Sequence, residues 1–126
     1  MNNLVVVRGG GDIATGTIYK LARCGFHVFV LEIAHPSAIR RNVAYSEAVY
    51  DGHKEVEGIE CVLLHSLNEL ESVFEHNKIA MMVDPKGSSI DILKPEIVID
   101  AILAKKNMGT SRNMAPITIG LGPGFN

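Results

Sequence analysis

Short apolar runs that end in glycine or an acid recur along this chain, and they set its elements. Residues 4–7 are Leu-Val-Val-Val, apolar without alternation. That is the pattern of a strand buried on both faces of a parallel sheet, and it predicts a central position. Gly9, Gly10 and Gly11 follow at once. From residue 12 to about 24 the period changes: Ala14, Ile18, Leu21 and Ala22 fall on one helical face, with Thr17, Lys20 and Arg23 opposite. Lys20 and Arg23 suit the negative end of the helix dipole, and Gly25 is a natural stop. Residues 27–31 form the next apolar run, closed by Glu32.

The later pattern is less regular. Pro36 ends the second strand and can open a short helical turn. Tyr45 and Tyr50 are read as packing residues. Residues 57–64 alternate, with Ile59, Cys61 and Leu63 on one side, which predicts a strand. Ser66 with Glu69 three residues on makes a capping box for a helix reaching about His76. Residues 79–83 read as a short buried strand leading into Asp84-Pro85-Lys86-Gly87. Residues 96–99 are β-branched and read as a strand ending at Asp100. The competing reading is one helix over 95–106, since Pro at its first position and Lys at its end both favour it. On the strand reading, 101–106 is a short helix, 110–116 a loop and 117–121 a last strand. Alternating strands and helices predict an α/β fold, Rossmann-like, with a mainly parallel sheet.

Ligands of such sheets bind beyond the carboxyl ends of the strands. There the glycines acquire separate roles. Gly9 can make a tight turn, Gly11 can let a backbone approach a phosphate, and Ala14 stands where the small third residue of a GxGxxG/A motif belongs. Gly10 and Thr15 lie within the same stretch. Gly16 costs about 1 kcal/mol inside a helix, which predicts the close approach of another backbone or of a ligand. The helix start offers N–H groups to an anion. Glu32 lies about 20 residues on, where an acid bonds ribose hydroxyls in dinucleotide folds. Asp12 argues against this reading, because as an N-cap its carboxylate competes with a phosphate. Arg40 and Arg41 are either anion ligands or solvated surface residues. Asp84 with Lys86, Asp100 and the turn at residues 120–124 complete the polar groups at the strand ends, which carry such residues in most sheets.

Composition narrows the classes further. The 126 residues suit about one domain, with 47% hydrophobic and 21% charged residues. A net charge of −2 provides no basic field for nucleic acid or an anionic membrane. No run approaches the ~20 apolar residues of a membrane span, and no signal-peptide pattern opens the chain, so cytoplasm is the default. Cys24 and Cys61 are read as small core residues, and the five histidines show no metal-ligand spacing. No catalytic motif is legible.

Five segments, VVRGGGDIATG, EIAHPSAIRRNVAYSEAVYDG, VDPKG, PEIVIDAILAKKN and APITIGLGPGF, together resemble the selenium-dependent molybdenum hydroxylase accessory family called YqeB. That family is itself similar to the Rossmann-type domain of the XdhC and CoxI maturation factors. The resemblance implies a protein that matures molybdenum hydroxylases, with an apo-hydroxylase as partner and a molybdenum-pterin cofactor or a nucleotide as ligand. It carries over no catalytic residue. It also implies longer proteins, so the chain is expected to be one N-terminal domain. The glycine-rich end, Gly122-Pro123-Gly124, predicts an apolar patch near the last strand, open to self-association. Two further readings stay open. One is an oxidoreductase using NAD(P) or a flavin nucleotide. The other is a methyltransferase, whose donor site also uses a glycine loop and an acid.

Overall fold

A computed structural model describes residues 3–33, 44–101 and 117–120. The chain begins with β1 (Leu4–Arg8), α1 (Asp12–Arg23) and β2 (His27–Glu32). A 3-10 turn, Tyr45–Glu47, runs into the short α2 (Ala48–Asp51). The hairpin β3 (His53–Val56) and β4 (Ile59–Leu63) follows, then a turn at Leu67–Glu69 that continues as α3 (Leu70–Glu75). β5 (Ile79–Val83), α4 (Ser88–Leu93), β6 (Ile97–Asp100) and β7 (Ile117–Gly120) complete the order.

All seven strands form one sheet, ordered β3-β4-β5-β2-β1-β6-β7. Every neighbouring pair is parallel except the β3–β4 hairpin. β1 lies inside the sheet, between β2 and β6, as its unbroken apolar run predicts. Val5 and Val7 enter one core with Ala14 and Ile18 of α1, Tyr45 and Ala48. Leu4 and Val6 enter a second with Leu70 of α3 and Ile90 of α4. Successive side chains point to opposite faces, so a strand covered by helices on both sides needs apolar residues at every position. Each buried valine contributes about 1.5–3 kcal/mol. The layered, mainly parallel arrangement is Rossmann-like. From β1 the chain builds outward through β2 to β5, then crosses back to β6 on the other side of β1. That reversal is the topological switch point, where open α/β sheets hold their ligands.

Several expectations need correction. Residues 97–100 are strand, so the helix over 95–106 is excluded where the chain is described; the expected helix at 101–106 and loop at 110–116 lie outside the described residues beyond Ala101. The last strand is found at Ile117–Gly120, and the turn after it lies outside them. Asp12 is not the N-cap: Gly11 holds that position, and Asp12 is the first helical residue. Gly16 is exposed, and among the described residues a Cβ there would meet nothing within 4 Å, so no other backbone described closes on it. Cys61 is buried as expected, but Cys24 is exposed at the end of α1. The capping box at Ser66 is formed: Ser66 Oγ accepts the Asn68 N–H, and Glu69 Oε2 accepts the Ser66 N–H.

Candidate functional site

The turn after β1 is fastened at almost every residue. Gly9 has φ +97°, a left-handed conformation that favours glycine, and its N–H donates to Leu31 O at 2.7 Å. Gly10 is the crowded glycine. A Cβ there would stand 3.1 Å from Met81 Cε, 3.2 Å from Ser46 N and 3.4 Å from Val30 Cγ1. Gly10 O accepts the Ser46 N–H at 2.8 Å, and Gly10 N–H donates to Glu32 Oε2 at 2.6 Å. Gly11 differs. Its φ of −72° suits any residue, and a Cβ would meet nothing within 4 Å among the described residues. Among the described residues the space above Gly11 is open, and Gly11, as the N-cap, brings no side chain to the start of α1. The N–H groups at the start of a twelve-residue helix, with a glycine as N-cap, favour an anion.

Thr15 holds this turn from inside. Its hydroxyl donates to Gly11 O at 2.8 Å, with Gly10 O 3.2 Å away, and accepts the Tyr45 N–H at 3.0 Å. Its bonds therefore join α1, the glycine turn and the chain that returns at Tyr45. Ala14 is buried beneath, in the core shared by α1 and β1.

Glu32 stands beside the turn with 8% of its surface exposed. Oε2 takes the Gly10 N–H and Oε1 takes the Ile33 N–H at 3.0 Å. Burial raises its pKa above the usual carboxylate value, against the opposing effect of those two N–H bonds. Two carboxylate oxygens retain acceptor capacity beyond these bonds. The acid predicted to read a ribose thus also clamps the glycine turn.

Asp84 is tied to the same edge through its backbone, its N–H donating to Glu32 O at 2.9 Å. Its carboxylate is engaged with α4: Oδ1 accepts from Ser88 N at 3.1 Å and Oδ2 from Ser89 N at 2.8 Å. Partial burial would raise its pKa, but hydrogen bonds from Ser89, Ser88 and Gly87 outweigh this and hold it below the usual range. Lys86 is exposed on that turn. Arg40 and Arg41 lie outside the described residues.

Sequence reasoning missed two features here. Arg8, the missed partner of the strand-end Asp100, closes β1 with 1% exposure, opposite Asp100 of β6, also 1%. Arg8 Nη1 lies 3.8 Å from Asp100 Oδ2, and Nη2 donates to Pro85 O at 2.9 Å. The pair anchors the Asp84–Gly87 turn to the switch point. An arginine ending an otherwise apolar strand was its signal. The second feature is Ser46 with Glu47, polar and buried, where the chain docks on Gly10. No cluster of three His, Cys, Asp or Glu suited to a metal occurs among the described residues. No helix there is long and apolar enough to cross a membrane.

The chain is similar to an uncharacterised protein, YqeB, of Escherichia coli strain K12. The two are 50% identical over 124 residues, 98% of this chain and 23% of the relative. The chain therefore spans about a quarter of that relative's length. No family model matches, and no solved structure matches. Nearly all of the site described above falls within the aligned length.

Proposed function

We infer that this chain is the ligand-binding domain of a YqeB-type accessory protein for selenium-dependent molybdenum hydroxylases. Its ligand is a nucleotide, or a molybdenum-pterin cofactor held by its phosphate or nucleotide part. The observation that carries this reading is the space above Gly11 at the start of α1, open among the described residues, with Glu32 clamped beside it. The turn supplies N–H groups for a phosphate, Glu32 supplies an acceptor for hydroxyls, and the switch point supplies the crevice. Similarity to YqeB along almost the whole chain supports the family assignment, and the maturation role rests on the resemblance of the five quoted segments alone.

These residues fit the anionic end of such a ligand. The chain's own part is to bind and orient it for transfer to an apo-hydroxylase. Asp12, Thr15 and Ala14 shape the turn, while Lys86 and the Arg40-Arg41 pair are candidates for further anion contacts. The second reading, an oxidoreductase using NAD(P) or a flavin nucleotide, rests on the same turn and acid. Titration of the full-length protein with molybdenum-pterin cofactor, NAD and S-adenosylmethionine distinguishes these readings. Binding of the pterin cofactor supports the accessory role. Binding of NAD alone favours the oxidoreductase, and binding of none of the three refutes the site.

A further inference from the structure

Arg8 is the one charged residue of β1, and it lies inside the protein with Asp100. Desolvating two such charges costs free energy, and apolar residues of similar size in their places are often as stable or more so. What the pair holds in place therefore matters more than the pair itself. The bonds of Arg8 close a ring over the carboxyl ends of three strands. Its Nη2 donates to Pro85 O, beyond β5, at 2.9 Å. The adjacent Asp84 N–H donates to Glu32 O, at the end of β2, at 2.9 Å. The Glu32 carboxylate accepts the Gly10 N–H at 2.6 Å, and Gly10 lies two residues after Arg8. Asp100, with Oδ2 3.8 Å from Nη1, ties the end of β6 to the same guanidinium. The turn at 84–87 rests closely on it, since a Cβ at Gly87 would stand 3.4 Å from Arg8 Cζ.

The ring also crosses from one face of the sheet to the other. Side chains alternate along a strand, so Arg8 follows Leu4 and Val6 to the face of α3 and α4, and Glu32 follows Val28 and Val30 to the face of α1. A planar guanidinium suits the crossing, because it offers several donors in fixed directions. We propose that Arg8 is a positioning residue of the ligand site: with Asp100 it locks the turn at 84–87, and through Asp84 it fixes Glu32 against the glycine turn in the geometry that receives the ligand. This rests on the nucleotide reading given above. It assigns the buried pair to preorganisation, which leaves less freedom to be lost when a ligand binds.

The test sets three variants of the full-length protein beside the parent. Arg8→Met combined with Asp100→Leu removes both charges. Arg8→Lys keeps the charge and loses the fork that reaches Pro85 and Asp100 together. Lys78→Ala is the control, breaking a surface ion pair with Glu60 outside the ring. Each is followed by thermal unfolding, by hydrogen exchange of the Gly10 and Asp84 amides, and by calorimetric titration with AMP and NAD. The double variant should melt within a few degrees of the parent. In it the Gly10 and Asp84 amides should exchange about tenfold faster, and AMP and NAD should bind about tenfold more weakly. Arg8→Lys should show both changes in smaller measure, and Lys78→Ala neither. Unchanged exchange in both Arg8 variants overturns the proposal, as does faster exchange with undiminished affinity. A double variant that melts well below the parent assigns the pair to stability and overturns it too. A parent that binds neither AMP nor NAD overturns the nucleotide reading itself, while exchange at Gly10 and Asp84 still decides whether the pair holds Glu32.

Discussion

Adjacent glycines in one turn should respond oppositely to substitution, and the contrast between Gly10 and Gly11 exposes what the turn is for. At Gly11 the backbone is ordinary, φ −72° and ψ −168°, and nothing among the described residues lies within 4 Å of a new Cβ. Valine there gains about 0.4–1 kcal/mol from a less flexible unfolded chain and loses a comparable amount as a poorer N-cap. The net change in stability should stay within about 1 kcal/mol, or roughly 4 °C in Tm for a domain of this size. The valine side chain, however, fills the open space above the helix start. A ligand phosphate displaced from two N–H groups forfeits about 1.5–3 kcal/mol for each, at least a hundredfold in affinity. Gly10→Ala reverses the pattern. Its Cβ falls 3.1 Å from Met81 Cε and 3.2 Å from the Ser46 backbone nitrogen, and backbone cannot step aside cheaply. Overpacking of that kind costs about 1–3 kcal/mol. Urea denaturation and calorimetric titration with NAD and the molybdenum-pterin cofactor measure both quantities. Gly11→Val that folds and binds every ligand of the parent with unchanged affinity would refute the assignment of the anion site to this turn.

Three other substitutions probe the supports of the site. Glu32→Gln should reduce the parent's preference for NAD over NADP, read by titration with both; a parent that binds the two equally shows that Glu32 does not read the ribose. Glu32 also has a raised pKa in the folded protein, so its contribution favours folding at low pH and is lost as pH rises from the unfolded value of 4.5 through the folded one. Glu32→Gln should therefore flatten the stability profile across that window, as measured by urea denaturation at stepped pH. Asp84 has the opposite sign: its contribution is present above the unfolded value of 3.8 and lost as pH falls through the lowered folded pKa. Asp84→Ala should remove that acid-side loss and cost about 1 kcal/mol at neutral pH as a lost helix cap. Arg8→Met strips the Asp100 carboxylate of its buried cation and should cost about 3–5 kcal/mol, and unchanged denaturation would show that the pair is idle.

The elements legible in the sequence were those whose chemistry is local. Apolar residues at every position of β1 identified an interior strand, the spacing from Ala14 to Ala22 identified α1, and Ser66 with Glu69 identified a cap. β3 was missed because His53, Lys54 and Glu55 form an edge strand, where one ladder partner and little burial leave no apolar signature. α4 was missed because Ser88–Leu93 is too short for a helical period to show. At the site, the glycines and Glu32 were legible as a spacing, but their division of labour was not. Gly10, a candidate cofactor-binding residue without a separate role in the sequence, is the glycine that packing demands, since Met81, Ser46 and Val30 reach it from distant parts of the chain. The Arg8–Asp100 pair and the return of Ser46 to Gly10 are likewise contacts across the fold, which no local pattern encodes.

The central claim is that a phosphate-bearing ligand sits on the start of α1 beside Glu32. Its most direct test is a nitrogen-15 amide NMR titration of the full-length protein with NAD and with molybdenum-pterin cofactor. The largest shifts should fall on the amides of Gly11, Asp12 and Ile13, with a smaller set at Ile33 beside Glu32. Saturable shifts confined to the β3–β4 hairpin or to α3, or no shift with either ligand, would contradict it.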